Sequence, residues 1–199
     1  MARKRKHKDG LVLDQVALTG LPQIEEASSA TPEDLYFMGV ALEEARAAEG
    51  LGEVPIGCVI VDPARAASPR SLDETQVIDL DHLIIARGHN LTRTQRTPLG
   101  HAELVAIEAA AESAAYERLL GCTVYVTVEP CFMCAGALVH ARVERVVWGI
   151  RDPKFGGCAS LGQVLSDPRL NHRARLCEGV HAQQARDLIV GFFRERRAK

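Results

Sequence analysis

Two cysteines three positions apart, Cys131 and Cys134, stand in the run Pro130-Cys131-Phe132-Met133-Cys134. At that spacing on a helix both sulfurs lie on one face and can reach a single ion. The pair alone suits a redox centre or half of a structural zinc site as readily as catalysis. His101-Ala102-Glu103 narrows the choice. A histidine from a second segment makes three ligands, and a zinc ion held by three protein ligands keeps a fourth place for water, which separates catalytic zinc from structural zinc. Glu103 stands two positions from His101, outside the i, i+3 and i, i+4 relations through which helical residues grip a common ion. It is expected beside the water, as base and then as acid. A noncatalytic zinc clip presenting a binding surface would need a fourth protein ligand, and it would leave Glu103 without a task. His89, His140 and His172 are read as structural, and Cys58, Cys122, Cys158 and Cys177, which lack ligand spacing, as packed thiols.

The elements that must place these groups can be read from periodicity. His101 to about Leu120 forms an Ala-rich helix and Cys131 to about Ala141 a second one, so the metal ligands fall at helix starts, where the positive end of the dipole favours thiolates. Strands are expected at Val54 to Val61, His82 to Arg87, Cys122 to Val128, Arg145 to Ile150 and Ala174 to Cys177. Thr31, with Pro32 behind it and Asp34 three residues on, starts a helix whose Leu35, Met38, Leu42 and Ala45 fall at helical spacing until Gly50 and Gly52 stop it. Ala182 to about Arg197 closes the chain as a helix anchored by Phe192 and Phe193. Strand and helix alternate from Gly100 onward, which predicts a layered α/β arrangement. Residues 63–80, with Pro63, Ser68, Pro69 and Ser71, read as a surface insert loop, and residues 1–30, which open on Arg3-Lys4-Arg5-Lys6-His7-Lys8, as a disordered basic tail.

Composition sets the frame. A chain of 199 residues, 47% apolar, suits one domain, 31–199, with its own core. No stretch approaches the about 18 consecutive apolar residues that span a bilayer, and the basic start is followed by no apolar signal core, so a cytoplasmic protein with reduced thiols and no membrane contact is expected. The net charge of -2 conceals a division: residues 141–199 hold 12 Lys and Arg against 6 Asp and Glu. Positive charge gathers where a polyanion could be held, although a solvated basic face would give the same count.

His101-Ala102-Glu103 together with the Cys131 to Cys134 run resembles the signature of the cytidine deaminase superfamily. Within it the chain is most similar to the bacterial tRNA-specific adenosine deaminases over nearly all of residues 33–62 and 83–197, including Glu53-Val54-Pro55-Ile56-Gly57, Gly88-His89-Asn90, Gly149-Ile150-Arg151-Asp152-Pro153-Lys154, Asn171-His172-Arg173 and Phe192-Phe193-Arg194. The resemblance implies a three-layer α/β/α fold with a five-stranded mixed sheet, a homodimer, a Zn2+ cofactor, and conversion of the wobble adenosine of an arginine tRNA to inosine. It also implies that Asn90 hydrogen-bonds the flipped base and that Asp152 lies near the target nucleotide. A flipped base is cheapest to obtain from a loop, so the partner is expected to be a tRNA anticodon loop, with Arg194, Arg196, Arg197 and Lys199 on its phosphates. The metal signature is shared with deaminases of free guanine or cytosine, and the basic second half favours RNA over such a metabolite.

Overall fold

The computed structural model describes residues 23–67, 80–114 and 118–198. In chain order the elements are β1 (Ile24–Glu26), α1 (Pro32–Gly50), β2 (Gly57–Val61), β3 (Ile84–His89), α2 (Ala102–Ala114), β4 (Thr123–Val128), α3 (Phe132–Ala141), β5 (Arg145–Ile150), β6 (Arg175–Glu178) and α4 (Ala182–Arg197). The strands form one mixed sheet in the order β1-β6-β5-β4-β2-β3. The pairs β1·β6, β6·β5 and β5·β4 are parallel, and β4·β2 and β2·β3 antiparallel.

Alternation along the strands divides the core in two. Cys58, Ile60, Val124, Val126, Val146 and Trp148 face α2 and α3. Val59, Val61, Tyr125, Val147 and Cys177 face the other way, onto Phe37, Met38 and Ala41 of α1. Helix α4 joins α1 on that second face, where Ala185 lies against Gly149 of β5. The three-layer α/β/α arrangement is therefore present, but the sheet has six strands rather than five.

The sixth strand, β1, falls inside the segment expected to be a disordered tail. Three residues are too few for an alternation signal, and what orders them is tertiary. Ile24 packs on the core, Ile24, Glu25 and Glu26 pair with Leu176, Cys177 and Glu178, and the Glu25 carboxylate accepts a hydrogen bond from Arg145 at 3.1 Å. The basic run at residues 3–8 lies outside the described residues, as do residues 68–79 of the expected insert loop. The described edge of that loop is not formless: Pro63–Ala67 makes a short 3-10 turn, with Asp62 Oδ1 accepting from Ala64 N at 2.9 Å.

Helix α1 starts as its sequence requires. Thr31 Oγ1 accepts from Asp34 N at 3.2 Å and Asp34 Oδ2 accepts from Thr31 N at 3.0 Å, a capping box with Pro32 behind it. Its buried face is centred on Phe37, Met38, Ala41 and Ala45, and Leu35 remains 45% exposed beside that face. Helix α2 is described over Ala102–Ala114, and Leu119 and Leu120 lie outside it, where the chain turns at Gly121, with φ near +75°, to enter β4. No described helix is long and apolar enough to cross a membrane.

Candidate active site

The C-terminal end of β4, the end of β3 and the starts of α2 and α3 meet at one edge of the sheet. His101 immediately precedes α2, and Cys131 is the N-cap of α3 with Cys134 in its first turn. Gly88 permits the approach of α2 to β3, since a Cβ there would stand 2.5 Å from the Ala102 carbonyl oxygen. Asn90, which follows β3 and is 5% exposed, fixes the same helix: its Oδ1 accepts from Ala102 N at 3.0 Å. Asn90 is thus a cap for the helix that carries His101 and Glu103.

The structure brings His101, Cys131 and Cys134 together. His101 Nδ1 lies 3.6 Å from Cys131 Sγ and 3.5 Å from Cys134 Sγ, and the two sulfurs are 3.6 Å apart. A tetrahedral zinc with bonds of about 2.3 Å to sulfur and about 2.0–2.1 Å to nitrogen spaces such ligands about 3.5–3.8 Å apart, so the residues fit that ion. Among the described residues no other group of His, Cys, Asp or Glu gathers in this way. The two thiols behave as a pair sharing one proton. Donation from Cys134 and from the His101 ring holds Cys131 down to about 4, whereas the Cys131 sulfur and burial push Cys134 far above the usual thiol range. Zinc takes thiolates, and one is already favoured before any ion adds its charge.

Glu103 sits in the first turn of α2 with only 3% of its surface exposed. Burial, aided by the nearby Cys131 charge and opposed by its own backbone N–H, pushes its carboxyl up to about 7. A carboxyl at that value can both take and give a proton near neutral pH. His101 and Cys131 are partly exposed and Cys134 is buried, so the cluster is within reach of solvent.

The remaining expected residues lie less simply. Asp152 stands on the loop after β5, and its Oδ1 accepts from Lys154 N at 2.9 Å and Phe155 N at 3.3 Å, which shapes that turn. Arg194 and Arg197 are exposed on the last turn of α4. Arg196 is engaged within the fold: its guanidinium lies 4.5 Å over the Phe192 ring and donates to the Gly52 carbonyl. Phe192 anchors the helix at 6% exposure, but Phe193 is 45% exposed and does not. Lys199 lies outside the described residues. His89 pairs with Glu44 at 2.7 Å and His172 Nε2 meets the Val143 carbonyl at 2.7 Å, both structural as expected. Cys58, Cys122, Cys158 and Cys177 are all buried.

Two residues at the rim went without a role in the sequence. Glu53, fully buried, accepts at Oε1 from Arg93 N at 2.8 Å and Thr94 N at 2.7 Å, and so secures the loop between Asn90 and His101. Glu129, 3% exposed, does the same for the loop after β5. Their donor partners are distant in sequence, so no local spacing announces them; the only signal is a lone Glu at each end of an apolar strand segment.

Residues 33–197 match the model of the MafB19-like deaminase family. A tRNA-specific adenosine deaminase of Bacillus subtilis is 41% identical over 167 residues, which is 84% of this chain and 92% of that one. A solved structure from a study of A-to-I editing by tRNA:A34 deaminases at the wobble position superposes with a TM-score of 0.65 at 36% identity, covering 77% of this chain and 98% of that one. A guanine deaminase from Nitrosomonas europaea shares the fold, with a TM-score of 0.63 at 21% identity over 96% and 98% of the two chains. Fold and site therefore define the class: this is a deaminase, an enzyme of the MafB19-like family. Within that class it belongs with the tRNA-specific adenosine deaminases.

Proposed function

We propose that the enzyme is zinc-dependent and hydrolytic, converting adenosine to inosine at the wobble position of a tRNA, an arginine tRNA, presented as an anticodon loop. The observation that carries this reading is the triangle of His101, Cys131 and Cys134, with sides of 3.5 to 3.6 Å, beside a buried carboxyl at Glu103. When bound, zinc supplies a Lewis acid that acidifies water at neutral pH. Glu103 takes a proton from the water that adds to C6 of the purine and delivers it to N1, then takes the proton of the new C6 hydroxyl and gives it to the C6 amino group, which leaves as ammonia as C6=O forms. With Asn90 Oδ1 committed to α2, its contact with the base falls to the amide Nδ2. Asp152 lines the approach of the target nucleotide, and Arg194 and Arg197 hold phosphates.

A homodimer in the cytoplasm, where tRNA is found, completes the reading. Exposed Phe132 at the start of α3 and exposed Leu161 on the loop after β5, whose neighbour Gly162 abuts the Phe132 ring, support an association surface. The test is incubation of the purified protein with bulk tRNA followed by sequencing, in which inosine reads as guanosine. A-to-G conversion at the wobble position of an arginine tRNA is expected. Equal turnover of free guanine or cytosine, with tRNA unchanged, would overturn the reading, and sedimentation velocity decides the dimer.

A further inference from the structure

We infer that Glu129 is a positioning residue that sets the substrate-side loop at 151–162 against the metal-binding loop, an inference that rests on the function proposed above. Glu129 follows β4 immediately before Pro130 and Cys131, and its own N–H donates to Ile150 O at 2.8 Å. Its carboxylate then receives the facing loop. Oε1 accepts from Cys158 N at 3.0 Å, Ala159 N at 2.7 Å and Ser160 N at 2.9 Å, and Oε2 accepts from Asp152 N at 3.1 Å and from Ser160 Oγ. The main chain closes the same contact. Gly156 bridges Cys131, and Gly157 N donates to Pro130 O at 2.8 Å. A Cβ on Gly156 would fall on the Glu129 carboxyl itself, so the loop is seated on this side chain as closely as backbone allows.

Both ends of the loop therefore hang on one carboxylate. Asp152 at its start and Ser160 near its end are held at a distance from Cys131 that the length of Glu129 fixes. Between them, Lys154 and Phe155 are exposed, as a surface that meets RNA has to be. A group on this loop reaches a bound nucleotide only in the register that Glu129 imposes, and small misplacements at such contacts weaken binding sharply.

Glu129→Gln separates this role from bulk stability. One of the two oxygens becomes an NH2 group, which must face backbone N–H donors on whichever side it lies, so the clamp is lost while side-chain volume stays the same. Zinc content by elemental analysis should equal that of the parent. Amide exchange should quicken at Asp152, Cys158, Ala159 and Ser160, and KM for an RNA stem-loop with adenosine at the wobble position should rise by about tenfold while kcat changes far less, the pattern of weakened ground-state and transition-state binding alike. Ser160→Ala, which removes one donor and keeps the carboxylate, should shift KM in the same direction by less. Unchanged exchange at those four amides, or a fall in kcat at constant KM, would overturn the inference. A parent enzyme inert on the stem-loop would instead overturn the proposed substrate, and the exchange data would still decide whether Glu129 holds the loop.

Discussion

A carboxylate two residues from a proposed metal ligand serves as a base only if it stays off the metal, and Glu103 lies on the first turn of α2, outside the group formed by His101, Cys131 and Cys134. Glu103→Gln keeps shape and removes the base, so the protein should retain its zinc while single-turnover deamination falls by about 100-fold or more. Zinc missing from that variant would move Glu103 onto the metal. Cys134→Ala should behave differently, losing metal and activity together in elemental analysis and in assay, because two remaining ligands do not hold a structured site. The gathering of His101, Cys131 and Cys134 was legible in the sequence because metal chemistry dictates residue type as well as spacing. Asn90 was legible as a position, but its capping of Ala102 N was not, since that bond depends on how β3 delivers the chain to α2. Glu53 and Glu129 were not legible at all as loop anchors. A carboxylate satisfied by backbone N–H groups some 30 to 40 residues away leaves no local pattern.

The elements show where tertiary contacts override local signal. Helix α1 announces itself through its capping box, whereas β1 exists because Arg145 and the β6 edge receive it. Asp34, fully buried at the start of α1, accepts from Arg145 Nη1 at 2.6 Å and from Tyr125 Oη at 2.9 Å, so it ties α1 to β4 and β5, while the Glu25 contact from β1 is 40% exposed on the acidic side. Breaking a buried pair strands a charge and costs about 3–5 kcal/mol, whereas a partly exposed pair contributes about 0–1 kcal/mol. Asp34→Asn should therefore lower the melting temperature far more than Glu25→Ala; equal shifts in thermal unfolding would contradict this division. The loop held by Glu53 carries a pH signature as well. Burial alone would raise that carboxyl, but hydrogen bonds from Thr94, Thr92 and the Arg93 backbone outweigh it and hold the pKa below its ordinary 4.5. A depressed folded pKa contributes stability above about 4.5 that is lost as pH falls below it. Glu53→Gln should accordingly be less stable than the parent at pH 7, and the gap should narrow below pH 4.5 in melts run across that range. A constant gap would show that Glu53 acts through packing alone.

Across the whole molecule, charge is divided as the reaction would need it. Residues 141–199 carry the positive excess, and α4 brings part of it to the turn at Gly52, beside the loop that leads to His101. The three arginines expected to grip RNA are not equivalent there. Arg196 lies on Phe192 and bonds the Gly52 carbonyl, so its substitution should loosen the end of α4 and lower the melting temperature. Arg194 and Arg197 are exposed on the same turn, where they can meet phosphates and release counterions. Replacing Arg194 and Arg197 together by Ala should therefore weaken tRNA binding and reduce the slope of log affinity against log salt by about two, near one for each phosphate no longer neutralised. The melting temperature and zinc content of the double variant should match the parent, since neither side chain supports the core or the metal cluster. Filter binding between about 50 and 200 mM salt measures the slope. A parental slope in the double variant, with the weakening confined to Arg196→Ala, would show that α4 supports the active-site loop without touching RNA, and would place the phosphate grip on another part of the basic half.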